Sequence, residues 1–146
     1  MTGIISSLCV STEKGTKKTE VLSAEVITNW GIKDDAHAGN WHRQVSLLSV
    51  NSIEKMKEKG YVAQPGDFAE NIVIAGFDLI RMRIGDKIII HDTVILEITQ
   101  IGKECHSGCA IQQITGECIM PREGIFARVL QGGKIEKGNK VKCLST

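Results

Sequence analysis

The chain has 146 residues, with 18 lysines and arginines against 17 aspartates and glutamates and a formal net charge of +1. A chain of that length forms one domain and buries roughly two thirds of its unfolded surface in a single core, so one domain is expected over residues 1–146. The near-even charge gives no reason to expect a nucleic acid or an acidic membrane surface as partner, and charge recognition must be local.

Residues 1–7 lack the basic flank and long apolar stretch of a secretory signal, and no apolar run reaches membrane-spanning length. A cytoplasmic protein with no membrane partner is expected. Five cysteines, an odd number in a chain with an ample core, read as reduced thiols and not as a disulfide framework.

Two prolines and fifteen glycines punctuate the sequence. Short β-branched runs recur between them, at residues 4–10, 21–28, 45–50, 72–75, 88–91 and 94–99, and predict strands. Lys14-Gly15-Thr16-Lys17-Lys18, between the first two runs, reads as a solvated hairpin loop. After the third run Asn51 fits a helix N-cap with Glu54 three residues on, and Gly60 fits the left-handed residue after Lys59. Ile53 and Met56 would face the core, and the lysines and glutamates of this helix would form a solvated face with no catalytic role.

Farther along, Ile88-Ile89-Ile90 predicts a strand buried on both faces. Val94, Leu96 and Ile98 alternate with Glu97 and Thr99 and predict a strand with one buried face. Glycine-polar turns around Gly85 and Gly138 each lead into a strand. Cys9 and Cys143, in apolar strand-like surroundings, read as core. The whole describes a mostly β fold, a closed or curved sheet with a few short helices.

The chemistry concentrates in Cys105-His106-Ser107-Gly108-Cys109, followed by Cys118. This stretch is glycine-punctuated and partly charged, so it reads as a loop able to present a thiolate. Lys103 and His106 would lower the pKa of Cys105 and Glu104 would raise it. Cys109 and Cys118 suit resolving thiols that attack an oxidised or persulfidated Cys105. The other reading makes Cys105, His106, Cys109 and Cys118 soft ligands for a thiophilic ion, although the spacing is unlike paired Cys-x-x-Cys knuckles.

Several separated motifs converge in order along the chain: Asp34-Asp35-Ala36-His37-Ala38-Gly39, Arg43-Gln44-Val45-Ser46-Leu47, Gly66-Asp67-Phe68-Ala69-Glu70-Asn71-Ile72, Ile84-Gly85-Asp86, Cys105, and Gly124-Ile125-Phe126-Ala127-Arg128-Val129 with Gly132-Gly133. Together they resemble the MOSC domain, the C-terminal domain of molybdenum cofactor sulfurases, in its small stand-alone prokaryotic form. The resemblance implies a barrel of mixed and antiparallel strands with short helices. It also implies that Cys105 carries sulfur as a persulfide for assembly of a molybdenum or tungsten pterin cofactor.

On the same resemblance His37 and Arg43 would line an anionic pocket, with Arg43 as a fork for phosphate or carboxylate. The other reading of His37 is a loop anchor beside Asp34 and Asp35. Glu70 and Asn71 suit either a ligand pocket or a loop-bracing network, and Asp67 a structural role. Arg122 and Arg128 would contact the cofactor phosphate or else pair with Glu123 or Glu117. His42 carries no separate functional signal. The family has glycine where this chain has Asp34 and Ala69, and a left-handed backbone there would be tolerated at Asp34 and strained at Ala69.

A sulfur carrier or sulfurtransferase-like protein is the first expectation. A non-catalytic module binding the cofactor or a metal is the second, and a component of molybdenum-dependent reduction of N-hydroxylated compounds the third. No pyridoxal phosphate site is evident, so the sulfur would come from a separate cysteine desulfurase. The acceptor side would be a molybdenum-cofactor enzyme or biosynthesis protein.

Overall fold

The computed structural model describes residues 1–13, 16–102 and 123–144. In chain order the elements are β1 (Thr2–Val10), β2 (Thr19–Val21), β3 (Ser23–Ile27), β4 (Gly31–Ile32), β5 (Val45–Ser49), α1 (Val50–Glu58), β6 (Ile72–Ala75), a 3-10 turn (Leu79–Arg81), β7 (Lys87–Ile90), β8 (Val94–Ile101), β9 (Ile125–Gln131), β10 (Gly133–Glu136) and β11 (Lys140–Leu144). The strands pair in the order β11-β7-β8-β9-β5-β6-β1, and a β11–β1 pairing closes them into a barrel. Closure removes the free edges that an open sheet would expose. Among the described strands only β5 and β6 run parallel, and α1 forms part of the crossover between them. β2 is added to the outside of β1, and β10, β3 and β4 form a small flanking sheet.

Alternation puts one face of each strand inside. Ile5, Val45, Leu47, Ile72, Ile74, Ile88, Ile90, Val94, Leu96 and Ile98 are all wholly or almost wholly buried in the barrel core. A second, smaller cluster of Leu48, Met56, Phe68 and Phe126 lies on the opposite face, with Ile53, Tyr61 and Ala63 packed against it. Removing a large side chain of this kind from water contributes about 1.5–3 kcal/mol.

Most expected strands are present, and the departures have physical causes. The run at residues 21–28 is two strands in two sheets, broken where Leu22 is exposed between β2 and β3. Ile89 is half-buried between buried Ile88 and Ile90, so β7 has one buried face and not two. Helix α1 starts at Val50, ahead of the expected Asn51 cap. Ser49 is the N-cap residue, but its hydroxyl accepts the Leu79 N–H at 2.7 Å in place of a helix donor. At the other end Gly60 is left-handed as expected, with φ +96°. The turn glycines Gly85 and Gly138 take φ +96° and +89° and lead into β7 and β11, which pair with each other.

Asp34 and Ala69, where the family has glycine, are both left-handed, with φ of 66° and 58°. Asparagine, aspartate and glycine tolerate this region, whereas for an alanine it costs about 1–2 kcal/mol. Part of that would be returned by the greater backbone freedom of an unfolded glycine. Ala69→Gly is therefore expected to raise stability by about 1 kcal/mol in urea unfolding. A loss on substitution would show that the Ala69 methyl contributes more by packing than its backbone costs.

Candidate functional site

The chain between β4 and β5 carries His37, Trp41, His42, Arg43 and Gln44, and buried polar contacts hold it against the barrel. The Asp35 carboxylate, wholly buried, accepts Lys18 Nζ at 2.8 Å, Ser11 N–H at 3.1 Å and His37 N–H at 3.0 Å. The Lys18 side chain is wholly buried as well and also donates to Ser11 Oγ at 3.1 Å. Of the loop read as solvated, Thr16 and Lys17 are exposed, Lys14 and Gly15 lie outside the described residues, and Lys18 is the correction: it closes a buried ion pair that fastens the His37 loop to the β1–β2 hairpin. At the far end of the loop, buried Gln44 donates to Gly39 O at 3.0 Å and accepts Val129 N–H of β9 at 2.9 Å.

Within this frame the Arg43 guanidinium lies 4.6 Å from the Trp41 ring centroid and 5.6 Å from that of Phe126. Among the described residues its buried Nε has no hydrogen-bond partner and no carboxylate pairs with it. Trp41 is itself oriented by donating Nε1–H to His37 O at 2.7 Å. His37 Nδ1 lies 3.8 Å from Asp35 Oδ2, which supports the loop-anchor reading of that residue.

The connection bearing the thiols attaches beside this loop. Ile101, the last residue of β8, lies opposite Ile125, the first of β9, and Gly102 N–H donates to Gly124 O at 2.6 Å. On the outgoing side Gln100 donates to Gly102 O at 2.7 Å and meets His42 Nε2 at 2.7 Å. The Thr99 hydroxyl donates to the carbonyl oxygens of His42 and, at 3.2 Å, Phe126. A register shift between Ile98 and Gln100 makes this possible, since a bulge re-aims the side chains around it. On the returning side Glu123 accepts the buried Ser52 hydroxyl at 2.7 Å and Lys55 Nζ at 3.0 Å on both oxygens. The expected solvated face of α1 thus includes a lysine bound to the end of the thiol connection.

Glu70 and Asn71 are wholly buried. Glu70 accepts Gly66 N–H at 2.8 Å and Phe68 N–H at 3.0 Å. Burial raises its carboxyl pKa above the ordinary 4.5, against the opposing pull of these donors. Asn71 accepts Ser46 N–H at 3.0 Å and donates to Cys9 O at 3.1 Å, tying β5 and β1 to the start of β6. Both side chains thus spend their polar atoms on bracing the loop and the strands. Asp67 accepts Tyr61 O–H and Gln64 N–H, each at 2.9 Å, in keeping with the expected structural role.

Arg128 pairs with Glu97, its cross-strand partner, at 2.8 Å, in place of the expected Glu123, while Glu117 lies outside the described residues. Cys9 is core as expected, and burial pushes its thiol up to about 12. Cys143 is half-buried with Sγ 3.2 Å from Met82 Sδ, and burial pushes it up to about 11. Cys105, His106, Cys109, Cys118 and Arg122 lie outside the described residues. Among the described residues no three His, Cys, Asp or Glu side chains gather as a metal site. Nor is any helix among them long and apolar enough to cross a membrane.

His37 and Arg43 are legible in the sequence motifs, whereas the supporting roles of Lys18, Trp41 and Gln44 in their loop, and of Gln100 at His42, are not. Gln44 lies within the Arg43 motif and Trp41 two residues ahead of it, so both stand close to the signal in sequence. Lys18 and Gln100 act across the fold, and local pattern offers no signal for them.

The family model described as the MOSC domain matches residues 34–142. Among solved structures, the YuaD protein from Bacillus subtilis superposes with a TM-score of 0.82 at 18% identity, over 100% of this chain and 97% of that one. YiiM from Geobacillus stearothermophilus gives a TM-score of 0.74 at 21% identity, over 98% of this chain and 75% of that one. YiiM from Escherichia coli gives 0.68 at 14% identity, over 100% and 71%. No curated protein matches the chain.

Proposed function

This chain belongs to the MOSC domain family, and from that premise we propose that it is a sulfur carrier in which Cys105 takes up sulfane sulfur as a persulfide. The acceptor in this reading is a molybdenum or tungsten pterin cofactor, with Arg43 holding an anionic group of it. One observation carries the reading: an arginine fork stacked on two aromatic rings, its Nε buried and without an acceptor. An oxyanion fits there, since planar guanidinium matches phosphate or carboxylate and partial desolvation strengthens a charge-assisted hydrogen bond. When bound, the cofactor's metal supplies the sulfur acceptor.

The described cysteines add support by subtraction. Thiols raised to about 12 and about 11 supply almost no thiolate near neutral pH, so Cys9 and Cys143 are poor nucleophiles. The sulfur chemistry then falls to Cys105, Cys109 and Cys118. The Cys105 thiolate attacks the outer sulfur of a donor persulfide, the donor's S–S bond breaks, and the donor leaves as a thiolate that takes up the proton lost by Cys105. Cys109 or Cys118 resolves the Cys105 persulfide by attacking its inner sulfur, forming a disulfide and releasing hydrosulfide. The donor is a separate cysteine desulfurase, and the recipient a molybdenum-cofactor enzyme or assembly protein.

A module that holds the cofactor without moving sulfur is the second reading, and the same Arg43 seat favours it. Intact-protein mass separates the two. After anaerobic incubation with a cysteine desulfurase and cysteine, the wild type is expected to gain one sulfur atom, removable by reductant. Cys105→Ser is expected to lose the gain, and Cys109→Ser and Cys118→Ser to keep it. No gain in the wild type with an active donor would reject the carrier reading in favour of the holding module.

A further inference from the structure

We infer that His42 is the acid–base residue of the Arg43 site, held as its Nε2-protonated tautomer by Gln100, with the Nδ1 lone pair offered to an acidic hydrogen of the bound ligand. This rests on the reading of Arg43 as an anion contact. The tautomer follows from a chain of fixed polarity. A backbone carbonyl only accepts, so the end of the Gln100 amide facing Gly102 O at 2.7 Å is its NH2 group. The other end, Oε1, faces His42 Nε2 at 2.7 Å and must receive a hydrogen, so the neutral ring carries its proton on Nε2. Among the described residues Nδ1 makes no hydrogen bond.

Placement adds function to this polarity. The imidazole is exposed and meets the Trp41 ring edge-on, with centroids 5.9 Å apart and planes at 69°. The same indole carries the Arg43 guanidinium at 4.6 Å, so one aromatic platform serves both groups. The backbone of His42 is held by the Thr99 hydroxyl, next to the irregularity in β8 that also aims Gln100. The strands packed beneath present neutral Thr99, Gln100 and Phe126 to the loop, while Glu97 and Arg128 nearby on β8 and β9 satisfy each other. Among the described residues Arg43 is a charge that shares the Trp41 platform with His42. An anion seated on that guanidinium would favour imidazolium. The ligand class is an anion that keeps an acidic O–H, such as a phosphate monoester in its monoanionic form. His42 takes that proton at Nδ1 and returns it from the same atom.

Long-range proton–nitrogen NMR of the nitrogen-15-labelled full chain tests this without any sulfur transfer. Spectra are recorded from about pH 5 to 9, bracketing the ordinary histidine range, with and without inorganic phosphate, on wild type, Gln100→Leu and Arg43→Gln. The ratio of the Nε2–H tautomer to the other is expected to be about fivefold higher in the wild type than in Gln100→Leu, the worth of one net hydrogen bond. Phosphate is expected to raise the His42 midpoint in the wild type and not in Arg43→Gln. A wild-type ring without Nε2–H preference overturns the inference by itself, whatever the variants do. Phosphate that moves the Arg43 Nε resonance but not His42 overturns the inference and leaves the anion site standing. Phosphate that moves neither overturns both.

Discussion

Asp35→Ala is expected to destabilise the protein by about 3–5 kcal/mol, the usual consequence of leaving one member of a buried ion pair without the other. The carboxylate accepts three donors, from Lys18 Nζ, Ser11 N–H and His37 N–H, and its loss strands a buried ammonium together with two backbone donors. Lys18→Met should cost less, because Asp35 keeps both backbone donors in that variant. The double variant is expected to fall short of the sum of the two by about 2 kcal/mol or more, the range seen for side chains in direct contact. Equilibrium urea unfolding of the four proteins measures this coupling. Additive effects would show that Lys18 and Asp35 are stable independently, and the loop anchor would have to be sought elsewhere.

Gly66→Ala should be comparably severe, for a reason of shape. Gly66 has φ +90°, and a Cβ built on it would lie 1.9 Å from the backbone oxygen of Lys18, whose N–H in turn donates to Gly66 O at 2.9 Å. The obstacle is backbone and cannot rotate away, so the hairpin that carries Lys18 must move. A loss of about 3 kcal/mol or more is expected from steric displacement combined with a disfavoured φ. A loss under about 1 kcal/mol would mean that the hairpin yields easily and holds the His37 loop less firmly than its contacts imply.

Both effects converge on the part of the molecule least legible in sequence. The barrel itself could be read because its strands bury a single face, as the alternation of Val94, Leu96 and Ile98 announces, and because the glycines after α1 and before β7 and β11 sit where the backbone turns left-handed. The ordered motifs led to the correct family, and the departures from glycine at Asp34 and Ala69 fall on left-handed positions. Arg43 could be named from its motif. Its unpaired state could not, since that depends on Trp41 and Phe126 arriving from different elements.

Lys18 stands in a basic run and reads as solvated, yet it meets an aspartate 17 residues away in the interior. Asn51 with Glu54 offers a capping pair, yet the helix begins at Val50 after Ser49, whose hydroxyl is taken by the Leu79 N–H across the fold. Gln100 has no pattern at all. It matters because an irregularity in β8 turns it toward His42, and such irregularities are set by strand pairing across the barrel, not by local preference.

In the proposed function Arg43 and the cysteine connection rooted at Gly102 and Glu123 serve one site. The measurement that tests it most directly is the rate of Cys105 alkylation by anionic iodoacetate relative to neutral iodoacetamide, mapped by peptide mass, in wild type and Arg43→Gln at low salt. A guanidinium within several ångströms of the thiol attracts the anionic reagent by an energy that corresponds to about three- to tenfold in rate. The ratio is expected to fall by that factor in Arg43→Gln. An unchanged ratio would separate Arg43 from Cys105 and contradict the account.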